Sequence, residues 1–82
     1  MKLKYLMKGV ESTRTVNLML SITKIESEEV IAAIHAYLVN GMSMAGAALI
    51  NDVPKQNLSR AMVALEKVAE VLHKLKHPEE DA

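Results

Sequence analysis

The stretch from Ser43 to Arg60 constrains the fold more than any other part of this chain. Ser43 is placed to cap a short helix, Met44 to about Ile50, built almost wholly of small residues: Ala45, Gly46, Ala47 and Ala48. Small side chains let a second helix cross at close range. Asn51-Asp52-Val53 then reads as a tight turn with one apolar residue to plug inward. Pro54 follows at the first helical position, where a missing N–H costs nothing. The pattern beyond it predicts a helix from Lys55 to about Lys76, with Leu58, Ala61, Leu65, Val68, Leu72 and Leu75 recurring at alternating steps of three and four. Two helices joined by a three-residue turn, the first Ala-rich, is the layout of a helix-turn-helix.

The rest of the chain suits an all-α fold. Half of the residues are apolar, but with no Phe, no Trp and only Tyr5 and Tyr37, the core must come from Leu, Ile, Val, Ala and six Met. Ser12 is a candidate cap for a first helix to about Ser21 with Val16, Met19 and Leu20 on one side, although Thr15, Val16, Leu18 and Leu20 also fit a strand alternation. Ser27, followed by Glu28 and Glu29 where the helix dipole favours carboxylates, opens a second helix with Val30, Ile34, Tyr37 and Leu38 at helical spacing. Asn40-Gly41 ends it. The expected organisation is a flexible basic arm over residues 1–9, a helix-turn-helix domain over 10–76 with its turn near 51–53 and its recognition helix from 54, and an acidic tail over 77–82.

Zero Cys excludes a disulfide scaffold and thiolate metal sites. The formal charge is zero, yet it is unevenly distributed. Residues 1–24 hold Lys2, Lys4, Lys8, Arg14 and Lys24 against Glu11, and residues 55–76 hold Lys55, Arg60, Lys67, Lys74 and Lys76 against Glu66 and Glu70. The intervening segment carries Glu26, Glu28, Glu29 and Asp52 with no base, and the tail carries Glu79, Glu80 and Asp81. A partner feels the local field, so a neutral total leaves a basic face open. The opening residues, interrupted by lysine, do not form the apolar core of a signal peptide, and no apolar run approaches a membrane span. A soluble cytoplasmic, nucleoid-associated protein with no membrane partner is expected.

Val53 of the turn and Leu58, Ala61 and Met62 of the predicted fourth helix point inward, which leaves Lys55, Gln56, Asn57, Ser59 and Arg60 outward at the start of that helix. Asn and Gln pair with adenine, Arg bridges the O6 and N7 of guanine, and Lys and Ser hold phosphates, so this run carries the groups that major-groove readout of double-stranded DNA uses. Distally, Leu65, Val68, Val71, Leu72 and Leu75 form an apolar seam on a helix about 33 Å long, more than a core this small needs to cover; a second copy of the chain is the expected cover. The rival reading is a helical protein-interaction module, an antirepressor or adaptor, that uses the same seam and never touches DNA.

The segments EEVIAAIHAYLVNGMS (28–43) and AALINDVPKQNLSRAMVAL (47–65) resemble the PapB family of fimbrial adhesin transcription regulators and, more distantly, plasmid repressors of the KorA/TrfB type. Val30-Ile31, Tyr37-Leu38-Val39, Gly41, Ser43, Val53, Leu58-Ser59 and Leu65 carry the likeness, Leu58 only in being apolar where the family tends to an aromatic, while Ala48, Asn57 and Ala64 depart from the family's residue types. The resemblance implies a small DNA-binding regulator of an operon, acting as a dimer or higher oligomer, with Ser43 joining the DNA-contacting set.

Other chemistry is thinly represented. His73 and His77 lie one helical turn apart, but with no third ligand they read as imidazoles easing a helix C-terminus, so no metal is expected. His35 reads as half-buried or surface. No Gly-rich phosphate loop and no nucleophile, base and orienting group can be assembled, so neither enzymatic activity, a cofactor nor a small-molecule ligand is expected.

Overall fold

The computed structural model describes residues 3–78, and the first two residues and most of the expected acidic tail lie outside the described residues. Four helices run in chain order: α1 Thr13–Ile22, α2 Glu28–Leu38, α3 Met44–Ile50 and α4 Lys55–Lys76, with no strand among the described residues. Three serines start three of them by one device. The Oγ of Ser12, Ser27 and Ser43 accepts the amide of Thr15, Val30 and Gly46 respectively, three residues on, satisfying a donor that has no partner within the helix. At Ser27 the hydroxyl also donates to Glu29 at 3.0 Å. The residue's own backbone N–H, and then this hydroxyl, hold the exposed Glu29 carboxyl below its usual value. That contribution is present above the ordinary carboxylate range and disappears as pH falls through the lowered value.

The helical reading of α1 prevails over the strand alternative because Val16, Met19 and Leu20 are buried together while Leu18 is 59% exposed. A strand would have turned Leu18 to the same side as Val16 and Leu20. α2 runs through the centre, burying Ala33, Ile34, Ala36, Tyr37 and Leu38. At its end Val39 and Asn40 both donate to the His35 carbonyl, and Gly41 takes the left-handed conformation at φ +77°, as expected of it. His35 is half-buried and hydrogen bonds to Asn17 of α1 at 2.9 Å.

The α3–α4 junction follows the sequence closely. Ala47 and Ala48 are buried, the Asn51 side chain donates to the Ala47 carbonyl at 2.9 Å, Asp52 takes φ +55°, and the Val53 amide returns to the Ala48 carbonyl at 2.8 Å. Asp is among the few non-glycine residues that tolerate this conformation. Val53 is buried, plugging the turn. Pro54 sits one position earlier than expected. Its carbonyl accepts the amides of Asn57 and Leu58, so it is the N-cap rather than the first helical residue. From there α4 buries Leu58, Ala61, Met62, Leu65 and Ala69.

The segment expected to be a free arm is docked. The amides of Lys4, Tyr5 and Leu6 donate to the Glu66 carboxylate of α4 at 2.7, 2.6 and 3.2 Å, and Leu6 is buried. Farther on, Gly9 donates to the Tyr37 carbonyl and Glu11 to the Leu38 carbonyl, both at 3.1 Å. A Cβ on Gly9 would lie 3.0 Å from the Cα of Gly41, so glycine at φ +72° lets the two backbones meet. Residues 3–11 thus form a strap from the middle of α4 to the end of α2.

Candidate nucleic-acid interface

Helix periodicity divides α4 into two faces. Leu58, Met62 and Leu65 are completely buried, Ala61 nearly so, and they hold α4 against the rest of the core. Because those positions are fixed inward, the first turn and a half presents Lys55, Gln56, Asn57 and Arg60 to solvent, with Ser59 half-buried at the boundary. All five predicted DNA-contacting residues of α4 therefore stand together at one helix end. The sixth, Ser43, is exposed at the start of α3, but its oxygen already accepts the Gly46 amide at 3.0 Å, leaving its O–H to donate.

Electrostatics favour an anion at this end. α4 starts with no acidic residue in its first turn and no side-chain cap, so no side chain of the helix's own first turn offsets the positive end of its dipole. Arg60 and Lys67, seven residues apart, lie on nearly the same outward line and are both exposed. Glu70 is engaged by Lys74 at 3.0 Å.

The distal seam separates into two parts. Leu65 is 0% exposed and belongs to the chain's own core, so its predicted place in a dimer interface is corrected: a side chain enclosed by its own protomer has no surface to offer. Val68 and Leu72 are half-buried and line a groove with Ile22, Lys67 and Val71. Val71 and Leu75 are 58% and 72% exposed, and Ile22 on α1 is 57% exposed. The apolar surface is thus shared between α1 and α4, and the sequence pattern does not mark its α1 half, because Ile22 lies beyond the expected end of that helix.

His73 makes ring contacts with Tyr5 and His77, with centroids 5.1 and 4.6 Å apart. Among the described residues no group of three or more His, Cys, Asp or Glu is placed to hold a metal ion. Nor is any of their helices long and apolar enough to cross a membrane.

A small-residue helix, a plugged four-residue connection over 51–54 and a second helix with a polar outward start define a helix-turn-helix protein of the transcription-regulator class. The family model of PapB, adhesin biosynthesis transcription regulatory protein, matches residues 1–78, and the chain belongs to that family. The match reaches through the N-terminal strap, well beyond the two segments that carried the resemblance. Among solved structures, the crystal structure of E. coli FocB at 1.4 Å resolution is similar at TM-score 0.75 and 27% identity, over 92% of this chain and 84% of that one. Comparison with curated proteins gives no match.

Proposed function

We propose that this regulator of adhesin biosynthesis acts by binding double-stranded DNA sequence-specifically as a homodimer or higher oligomer, with α4 as its reading helix. The observation that carries the reading is the division of α4, whose buried Leu58, Ala61 and Met62 leave Lys55, Gln56, Asn57 and Arg60 outward at one end. Those are the donors that phosphates and purine edges require. The test is fluorescence anisotropy on labelled duplexes over a range of salt. Binding that falls steeply and linearly in log–log form, and a tighter complex with fragments from an adhesin operon control region than with random duplex, is the expected result. Absence of binding at low salt would instead support a protein-interaction module.

For the oligomer, the support is the exposed apolar surface formed by Ile22, Val71 and Leu75 around the groove at Val68 and Leu72. A second copy covers such a surface isologously and sets two reading helices at related positions on DNA. Leu75→Glu should leave the helical signal intact, because Leu75 lies outside the core, and should shift sedimentation toward a single chain. Parent protein that sediments as a monomer at micromolar concentration would remove the interface assignment.

A further inference from the structure

The strap offers a role for Glu66 that neither composition nor helix periodicity pointed to. Three consecutive amides, of Lys4, Tyr5 and Leu6, converge on this one carboxylate from 60 to 62 positions away in sequence. Hydrogen bonds to an ionised acceptor are shorter and stronger than neutral ones, and here two of the three are at or below 2.7 Å. The side of the strap away from Glu66 is held separately, by Gly9 against Gly41 and by the Tyr37 and Leu38 carbonyls. Glu66 is thus the fastening at the end nearest the chain's start, and Lys4 is the cation it brings to α4.

The position on α4 matters. Lys55, Ser59 and Glu66 recur at i, i+4 and i+11, which places them along one flank of the helix. That flank carries Lys55 at the reading end and lies about a third of a turn round the helix from the outward line of Arg60 and Lys67. Lys4 itself is exposed, its Nζ 5.3 Å from the centroid of the Tyr5 ring, so its charge is accessible to a partner from solvent. An acidic residue amid a basic surface would by itself repel phosphate. Taken up by three N–H donors, it fixes a lysine there instead.

The geometry points to Glu66 as a positioning residue that latches the N-terminal strap onto α4 so that Lys4 becomes a preset phosphate contact beside the reading helix. This rests on the DNA-binding reading above. A latched lysine differs from a free arm in one measurable respect, that its contribution to DNA binding disappears when the latch is removed although the lysine is still present.

The experiment combines amide hydrogen exchange with the salt dependence of DNA binding, on the full chain and its Glu66→Ala, Glu66→Gln, Lys4→Ala and doubly substituted Glu66→Ala/Lys4→Ala variants. In the parent, the amides of Lys4, Tyr5 and Leu6 should be protected, and Glu66→Ala should release them. Loss of one phosphate contact flattens the slope of log affinity against log salt by about 0.9, so between about 50 and 200 mM salt Glu66→Ala and Lys4→Ala should each lose about three- to four-fold less affinity than the parent. The double variant should match the single ones. Glu66→Gln removes the same charge but keeps an acceptor oxygen, so it should retain more amide protection, and a steeper slope, than Glu66→Ala.

Parent amides already unprotected, or Glu66→Ala with a parental slope, would overturn the latch. So would a Glu66→Gln variant that keeps protection yet shares the Glu66→Ala slope, because charge alone would then set the salt dependence. A parent that fails to bind DNA at low salt overturns the DNA-binding reading and this role with it, whereas parental binding with an unchanged Glu66→Ala slope overturns the latch alone.

Discussion

Leu65→Ala should lower the unfolding free energy by about 2–5 kcal/mol, the range for truncating a leucine in a packed interior. Leu65 is completely buried in one cluster with Val16, Met19, Ile34, Leu38, Leu58 and Met62. Truncation removes the burial of three carbon atoms and leaves a cavity that helices on three sides cannot easily collapse. Leu75→Ala, ten residues farther along the same apolar seam, removes a side chain that is already mostly in water and should stay within about 0.5 kcal/mol. Urea denaturation at one low protein concentration measures both, since a dimer's apparent stability rises with concentration and would mix the two effects. For a chain of this size, about 2 kcal/mol corresponds to a Tm drop of roughly 8–16 °C. A Leu65→Ala loss below about 1 kcal/mol would mean that the seam is not divided into a core half and a surface half.

That division shows where sequence pattern stops being informative. A heptad repeat reports that one stripe of a helix is covered, but not whether the cover is the same chain or another. From Leu58 to Leu65 the cover is the chain's own core, while at Val71 and Leu75 the stripe emerges into solvent. The four helices, by contrast, were readable because their punctuation is local. A serine three residues before the amide it caps, a glycine at positive φ after α2, and a proline before α4 each act within one turn.

The candidate reading surface was readable for the same reason. Once Leu58, Ala61 and Met62 are fixed inward, the outward set follows from 3.6 residues per turn. The strap was not readable. Its bonds run from backbone amides, which nearly every residue carries, to a glutamate whose partners lie 60 to 62 positions away. Neither periodicity nor composition marks such a contact, and three lysines near the chain's start resemble a free arm as closely as a docked one. The left-handed Gly9 against Gly41 is the trace it leaves in the sequence, and a lone glycine is ambiguous until both backbones are seen together.

Arg60→Ala carries the largest expected effect on DNA binding. Arg60 is exposed one and a half turns into α4, on the line that Lys67 continues, and rests on a helix held by the buried Leu58, Ala61 and Met62 around it. Its planar guanidinium is suited to take both O6 and N7 of one guanine, a contact that discriminates among bases, whereas the Lys55 ammonium at the helix start offers only a point charge to a phosphate. The two substitutions should therefore differ in kind. Arg60→Ala should cost about 1–3 kcal/mol at the preferred site, roughly 5- to 150-fold in affinity, and much less on random duplex. Lys55→Ala should weaken every sequence alike and flatten the salt slope by about one unit. Both residues are exposed, so circular dichroism and melting should match the parent, which separates a binding defect from a folding one. If Arg60→Ala weakened preferred and random duplexes by the same factor, Arg60 would be a phosphate contact, and base reading would pass to Gln56 and Asn57.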